Sequence, residues 1–349
     1  MSKIKAKSFG IELITHSRNV LLTANKIIYT ILKNPESTTL EVIKLGALLH
    51  DIGKCTEVFQ KMLNGKLKKS KNKFRHNEIG WAFLYRYLNV NSETLKQVLD
   101  IVYWHHGISN KLNENNHFQI LESVSENDIE TMKTILVELL GDDYLLKIPR
   151  DAENYNGEKT PLYYSRNDGL EKYMINRTCI ISADRLASKL EEKGLLDNVD
   201  EIIDEYLIKE NTFVLDNCPS EYTTRFSKQL EIVDSCEKTT IIKAPAGFGK
   251  TLTGLIWGAK TNKKLIWVCP RNAVALSVYN SVLNELKAFN LNVNVELFLS
   301  GEVIKTNNKT EGFTSDIIIT NIDNFLAPTI DSRISDRLFL INKADVIFD

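Results

Sequence analysis

Apolar residues recur at helical spacing through most of the first two hundred positions. The clearest runs are Leu40–Leu49, Trp81–Leu88, Leu95–Trp104, Met132–Leu140 and Met174–Leu190, each with charged residues on the opposite face. A period near 3.6 residues predicts amphipathic helices, so residues 8–205 are expected to form a mostly helical domain. Three polar stretches interrupt it: the strongly basic Gly65–Arg75, the Asn-rich Gly107–Phe118 and the turn-rich Asp151–Asp168. Near residue 239 the pattern changes. Short β-rich runs, Thr239–Ala244, Lys264–Cys269, Val293–Phe298, Asp316–Thr320 and Asp345–Asp349, alternate with helical segments. Such alternation predicts a parallel sheet with crossover helices. Residues 206–235, with Asn217, Pro219 and Ser220 as breakers, read as the connection. The expected organisation is therefore a mostly α domain over residues 1–205, a linker over 206–235 and an α/β domain over 236–349.

Composition narrows the class of protein. The chain of 349 residues is 43% hydrophobic and 26% charged, with a formal net charge of −1. No global field attracts it to polyanions, and nucleic-acid binding would have to come from local basic patches. The five cysteines, Cys55, Cys179, Cys218, Cys236 and Cys269, form no C-x-x-C pair. Their odd number and wide spacing argue against a disulfide framework or a zinc site. No apolar stretch follows the polar, basic N-terminus, and none approaches the roughly 20 residues of a membrane span. A reducing cytoplasm is the expected location, with no membrane partner.

The chemistry is concentrated in few residues. Of six histidines, five lie at or just after helical patterns: His16, His50, His76, His105 and His106. The sixth, His117, falls in the Asn-rich stretch and reads as structural or surface. His50 is followed by Asp51, and His105 by His106. Neutral imidazole and carboxylate together suit divalent transition metals. Neighbours on a helix diverge by about 100°, so such doublets line one pocket best from a helix end. His50-Asp51-Ile52-Gly53-Lys54 has that form: an apolar helix, a ligand pair, a Gly turn, then a Lys in reach of a phosphate oxygen. Asp184 sits in an otherwise apolar helical run, Cys179–Ser188, where an unpaired carboxylate would be costly. Any one of these residues alone is more often an ordinary hydrogen-bonded side chain; the set is hard to generate as an accident.

The order His16, His50-Asp51, Asp184 resembles the HD phosphohydrolase superfamily. More narrowly, "HDIGKCTEVFQ", "RHNEIGW", "YWHHG" and "SADRLAS" resemble the HD nuclease domain of the type I CRISPR-associated helicase–nuclease family, over residues 8 to about 205. The resemblance implies two metal sites, one from His16, His50, Asp51 and Asp184, the other from Asp51, His76, His105 and His106. It implies metal-assisted phosphodiester hydrolysis on single-stranded DNA, with Asp51 and Lys54 as catalytic groups. It also implies recruitment by an RNA-guided type I surveillance complex. Imidazole-rich sites suit Mn, Fe, Co or Ni better than Mg alone. The basic run Lys66–Arg75, including Lys68, Lys69, Lys71 and Lys73, leads straight into His76 and is a candidate for steering a nucleic-acid backbone.

A second motif opens the α/β part. Ala244-Pro245-Ala246-Gly247-Phe248-Gly249-Lys250-Thr251 lies between a β-run and a helical run. It lacks the first Gly of the strict phosphate loop and resembles the A-x-x-G-x-G-K-T form of superfamily 2 helicases. Gly247 and Gly249 would let backbone amides wrap the phosphates of ATP, Lys250 would reach the β/γ-phosphates, and Thr251 would bind Mg. By the same resemblance Gln229 would read adenine, Arg271 and Thr320 would touch the nucleic-acid backbone, and Asp349 would be the Mg-linked Walker B Asp. The catalytic Glu and second RecA-like domain of that family lie outside this sequence, so the α/β part is expected to be an incomplete motor. A competing reading is an HD hydrolase of small nucleotides with a P-loop nucleotide sensor. The extra histidines and helicase-like motifs disfavour it.

Overall fold

The computed structural model describes residues 4–67, 74–106, 117–150, 170–203, 215, 223–237, 239–261, 263–299, 302–305, 315–330, 337, 341 and 344–349. The chain divides into two compact units, residues 1–203 with 330–336, and residues 204–329 with 337–349. Among the described residues no helix is long and apolar enough to cross a membrane.

The first unit is helical. Its described elements are α1 (Leu13–Ile31), α2 (Ser37–Leu49), a 3₁₀ turn Ile52–Cys55, α3 (Glu57–Leu63), α4 (His76–Tyr87), α5 (Ser92–Trp104), α6 (His117–Glu122), α7 (Glu126–Leu140), α8 (Leu170–Lys193) and α9 (Val199–Ile203). The apolar stripes legible in the sequence become the core. Trp81, Phe83 and Leu84 of α4 meet Trp104 of α5 and Leu49 of α2, all almost fully buried. Local signals set the helix starts. Asn91 and Ser125 accept from the backbone N–H of Thr94 and Asp128, and thus cap α5 and α7. Glu78 reaches back to the Arg75 N–H at 2.7 Å at the start of α4.

Two close approaches fix where the helix ends meet. A methyl group at Gly53 would lie 1.9 Å from the His76 carbonyl oxygen, so the 3₁₀ turn rests against the first turn of α4. At Gly46 it would lie 2.9 Å from Ile101, so α2 and α5 pack at short range. Helix α8 lies along α1, α2 and α5.

The second unit is α/β. It contains α10 (Thr223–Asp234), α11 (Lys250–Thr261), β1 (Leu265–Cys269), α12 (Asn272–Ala288), β2 (Val295–Leu299), β3 (Glu302–Lys305), β4 (Ile317–Asn321), α13 (Ile322–Ile330) and β5 (Asp345–Phe348). The sheet order is β3-β2-β4-β1-β5. Pairing is parallel for β2–β4, β4–β1 and β1–β5, with Leu265 opposite both Ile317 and Asp345. Strands β1 and β4 are buried along their whole length, as parallel strands covered on both faces should be.

Three features differ from the sequence expectation. Strand β3 pairs antiparallel with β2 at the edge. Within the stretch expected to be a linker, Thr223–Asp234 is a helix: Phe226 and Val233 lie seven residues apart on one face and pack into the core of the second unit. The breakers that suggested a connection all precede it. Lastly, the β-run Thr239–Ala244 is not a strand. A strand needs a neighbour to take its backbone hydrogen bonds, and among the described residues none pairs with this run; Ile241 is 94% exposed.

Candidate metal centre

Most of the chemistry-bearing residues of the first unit occupy helix ends. His16 stands in the first turn of α1. His50 closes α2, and Asp51 follows at the entrance to the 3₁₀ turn. His76 opens α4, and His105 closes α5 with His106 behind it. Asp184 projects from the middle of α8. Five separate segments, α1, the end of α2, the start of α4, the end of α5 and α8, thereby deliver donors to one point.

Asp51 is at the centre and fully buried. Its two oxygens face different partners. Oδ2 lies 3.3 Å from His50 Nε2 and 3.7 Å from His16 Nε2. Oδ1 lies 3.3 Å from His76 Nε2 and 3.6 Å from His105 Nε2. Asp184 Oδ1 completes the first side, 3.0 Å from His16 Nε2 and 3.8 Å from His50 Nε2. His106 completes the second, its ring centroid 5.1 Å from that of His76. One donor atom each from Asp51, His76, His105 and His106 lie within 4.8 Å of one another, as do those of His16, His50 and Asp51.

The backbone sets the tautomers. His50 Nδ1–H donates to the Ala47 carbonyl at 2.9 Å, and His105 Nδ1–H donates to the Val102 carbonyl at 2.7 Å. A carbonyl can only accept, so Nδ1 carries a proton, and in the neutral ring Nε2 turns its lone pair to the centre. His16 has a different partner. Its Nδ1 lies 3.0 and 2.9 Å from the two carboxylate oxygens of Glu191. Glu191 was not singled out in the sequence, where it opens a Glu-Glu-Lys end that reads as a solvated helix face. Its signal was spacing: it lies seven residues, two helical turns, after Asp184.

These residues fit divalent cations on an observation independent of residue type. His50 Nε2, Asp51 Oδ1, His76 Nε2 and His105 Nε2 are buried and have no hydrogen-bond partner among the described residues. Each such orphan costs about 1–3 kcal/mol, and all four converge. Burial pushes the His76 pKa down to about 4; burial likewise lowers His105. Both are thus held in the neutral form a metal requires. For Asp51, burial is opposed by the Lys54 charge and by His50, which hold its carboxyl well below the usual range. Burial acts against charge on His16 too, yet the carboxylates of Asp184, Glu191 and Asp51 outweigh it and raise its pKa.

Lys54 departs from the expected placement. Rather than standing open to a phosphate, it is 5% exposed and donates to Asp51 Oδ2 and to the Ala6 carbonyl. In this position it balances the Asp51 charge from within. Lys7 approaches from the N-terminal segment, 3.3 Å from Asp184 Oδ1. Lys68, Lys69, Lys71 and Lys73 lie outside the described residues.

In the second unit the phosphate-loop residues surround the start of α11. Gly247 and Gly249 have φ of 77° and 94°, the left-handed region that favours glycine. Lys250 Nζ donates to the carbonyls of Ala244 and Pro245, each at 3.2 Å. Thr251 follows at the helix start. Gln229 does not reach outward to a base. It is 1% exposed, and its amide nitrogen donates to the carbonyls of Phe248 and Gly249 at 3.1 Å, propping the loop from behind. Arg271 is exposed at the start of α12, and Asp349 is exposed beyond β5. Thr320 corrects the expectation that it touches nucleic acid: it is fully buried, and its hydroxyl donates to the Phe298 carbonyl at 2.8 Å, tying β4 to β2.

A helical unit with a His–Asp doublet and further histidines at its helix ends, joined to an α/β unit with a phosphate loop, is the architecture of an HD domain followed by a RecA-like helicase domain. Comparison with protein families matches residues 12–191, more than half of the chain, to "Cas3, HD domain" and residues 226–349 to "DEAD/DEAH box helicase". The chain belongs to the Cas3 HD domain family. No curated protein matches it. Among solved structures, T. fusca Cas3 is similar at 18% identity and a TM-score of 0.55, over 99% of this chain and 45% of that one. Its ADP complex is similar at 17% identity and a TM-score of 0.55, over 99% and 46%. Its ATP complex gives 17% and 0.53, over 100% and 45%. The chain thus spans less than half the length of these structures, and the likeness bears on fold.

Proposed function

We propose that the first unit is a metal-dependent endonuclease for single-stranded DNA, and that the second is the front part of an ATP-driven motor. The observation that carries this reading is the division of Asp51, one oxygen toward each of two histidine sets, with four orphaned donors between them. His16, His50, Asp51 and Asp184 would hold one divalent cation; Asp51, His76, His105 and His106 would hold the other. Mn, Fe, Co, Ni and Mg are the candidates. When bound, such a pair lowers the pKa of water and stabilises charge on a phosphodiester.

The protein's own contribution is arrangement. The Ala47 and Val102 carbonyls keep His50 and His105 in the ligating tautomer, and burial keeps His76 neutral. Lys54 offsets the Asp51 charge until cations do. The basic run around Lys68, Lys69, Lys71 and Lys73 precedes His76 in sequence and suits a polyanionic strand. In the second unit, Gly247, Gly249, Lys250 and Thr251 would cradle ATP phosphates, with Mg near Thr251 and Asp349 and with Arg271 toward nucleic acid. The family resemblance supports recruitment by an RNA-guided type I surveillance complex in the cytoplasm.

The test is digestion of circular single-stranded DNA by metal-stripped protein resupplied with each cation separately. Nicking with at least one transition metal, and slow cutting of blunt duplex, is expected. Equal rates on the two substrates would remove the single-strand assignment. Release of phosphate from free nucleotides without DNA cutting would favour the small-nucleotide hydrolase instead.

A further inference from the structure

We infer that Glu191 is the positioning residue that makes the His16 side of the centre the tighter cation site. This rests on reading the cluster as a metal centre. The Glu191 side chain is 2% exposed, and both of its oxygens lie within 3.0 Å of His16 Nδ1. Asn19 Nδ2 donates to Glu191 Oε1 at 2.8 Å. Glu191 touches neither group of donor atoms directly; it acts through the far side of the His16 ring.

The rings differ in what supports them from behind. His50 and His105 lean on neutral backbone carbonyls, whereas His16 leans on a carboxylate. A carboxylate accepting the Nδ1 proton draws it away from the ring and makes Nε2 a stronger donor. It also fixes the ring plane from a side chain that is itself held by Asn19. The His16 side has two carboxylates, Asp51 and Asp184, each facing a lysine, Lys54 and Lys7, that a bound cation would displace; the other side has Asp51 and three imidazoles. Glu191 adds a third negative charge behind the first side, and among the described residues no such carboxylate backs the rings of the second. A divalent cation therefore gains more on the His16 side, and the two positions fill in order.

The experiment is a Mn²⁺ titration of metal-stripped protein, with free Mn²⁺ followed by electron paramagnetic resonance. Wild type, Glu191→Gln, His76→Ala and the double variant are compared. The wild type should show two classes of site. In Glu191→Gln the tighter class should weaken by about 10–100-fold, the usual effect of removing such an outer partner, while the weaker class stays where it was. In His76→Ala the tighter class should remain, and Glu191→Gln should weaken it by the same factor. Thermal unfolding of the metal-free proteins accompanies the titrations, because a purely structural Glu191 would lower the melting temperature without separating the two classes. Unchanged binding in Glu191→Gln, or equal weakening of both classes, overturns the inference. A wild type with no saturable Mn²⁺ binding overturns the metal-centre reading beneath it as well.

Discussion

The two units hold their candidate chemistry in opposite ways. In the first, most donors come from helix ends and are wholly or partly buried, and carbonyls of the same helices set the tautomers of His50 and His105, so the arrangement exists before any ligand arrives. In the second, the phosphate loop has its glycine conformations in place, but Lys250 donates to the loop's own carbonyls, and the run leading into the loop is largely exposed and pairs with no described strand. A buried cluster is preorganised by the core around it. A loop is organised by what it binds, and its lysine must exchange two protein carbonyls for phosphate oxygens. The two chemistries should therefore fail separately.

Asp51→Ala is the most severe way to challenge that contrast. It removes the one residue shared by both donor sets, so DNA cutting should fall to background and both classes of cation binding should be lost. Circular dichroism should show the helices intact; a folded variant that cuts normally would refute the assignment. Gly53→Ala comes next. The added methyl meets the His76 carbonyl at 1.9 Å, so α4 must shift. Overpacking of this kind costs about 1–3 kcal/mol, to be read by urea unfolding, and cation binding on the His76 side should weaken more than on the His16 side. Lys250→Ala should lower nucleotide affinity about 10–100-fold, the equivalent of a lost charged hydrogen bond of roughly 1.5–3 kcal/mol, and leave metal-dependent DNA cutting unchanged. Loss of cutting in this variant would mean that the two units do not act independently.

A further expected effect, on stability and not on the chemistry, concerns the helix contacts behind the cluster. Burial raises the Asp100 pKa to about 6 although Arg177 Nη1 lies 3.4 Å away. With a folded value above the unfolded one near 3.8, this group supports the fold fully below pH 3.8, and that support is lost as pH rises through about 6. Asp100→Asn cannot titrate. Its stability relative to wild type should therefore improve between pH 4 and pH 7, by up to about 3 kcal/mol at ~1.4 kcal/mol per unit. Parallel urea unfolding curves at the two pH values measure it, and a constant difference would contradict the shift.

Much of the site was legible because it is written in rare residue types. Six histidines in the chain, with one His–Asp and one His–His doublet, stand out against any background. Glu191 did not, because a glutamate beside another glutamate and a lysine near a helix end looks like ordinary surface, and only the partner on α1 buries it. Periodicity gave α2, α4, α5, α7 and α8 of the first unit, while α1 is expected only as part of a mostly helical stretch. It could not give α10, whose stripe is short, nor the fate of Thr239–Ala244. β-rich composition states that a segment suits a ladder, whereas forming one depends on a neighbour elsewhere in the chain. Thr320 shows the same limit: a motif names a residue, and burial decides what its hydroxyl can reach.

Helix α8 carries Arg177, Asp184 and Glu191 at intervals of seven residues. Two turns take about 7.2 residues, so these three side chains drift by only about 20° per interval and share one stripe. Arg177 meets α5, Asp184 meets the cluster, and Glu191 meets α1. The helix thus works like a key with three cuts, whose spacing is counted in residues rather than in ångströms. Inserting one residue between Arg177 and Asp184 would turn the later two cuts by about 100° and misalign them together. Inserting seven would keep their angle but advance them about 10 Å along the axis. What these contacts constrain is the spacing of the three residues along the helix, not the composition of its outer face.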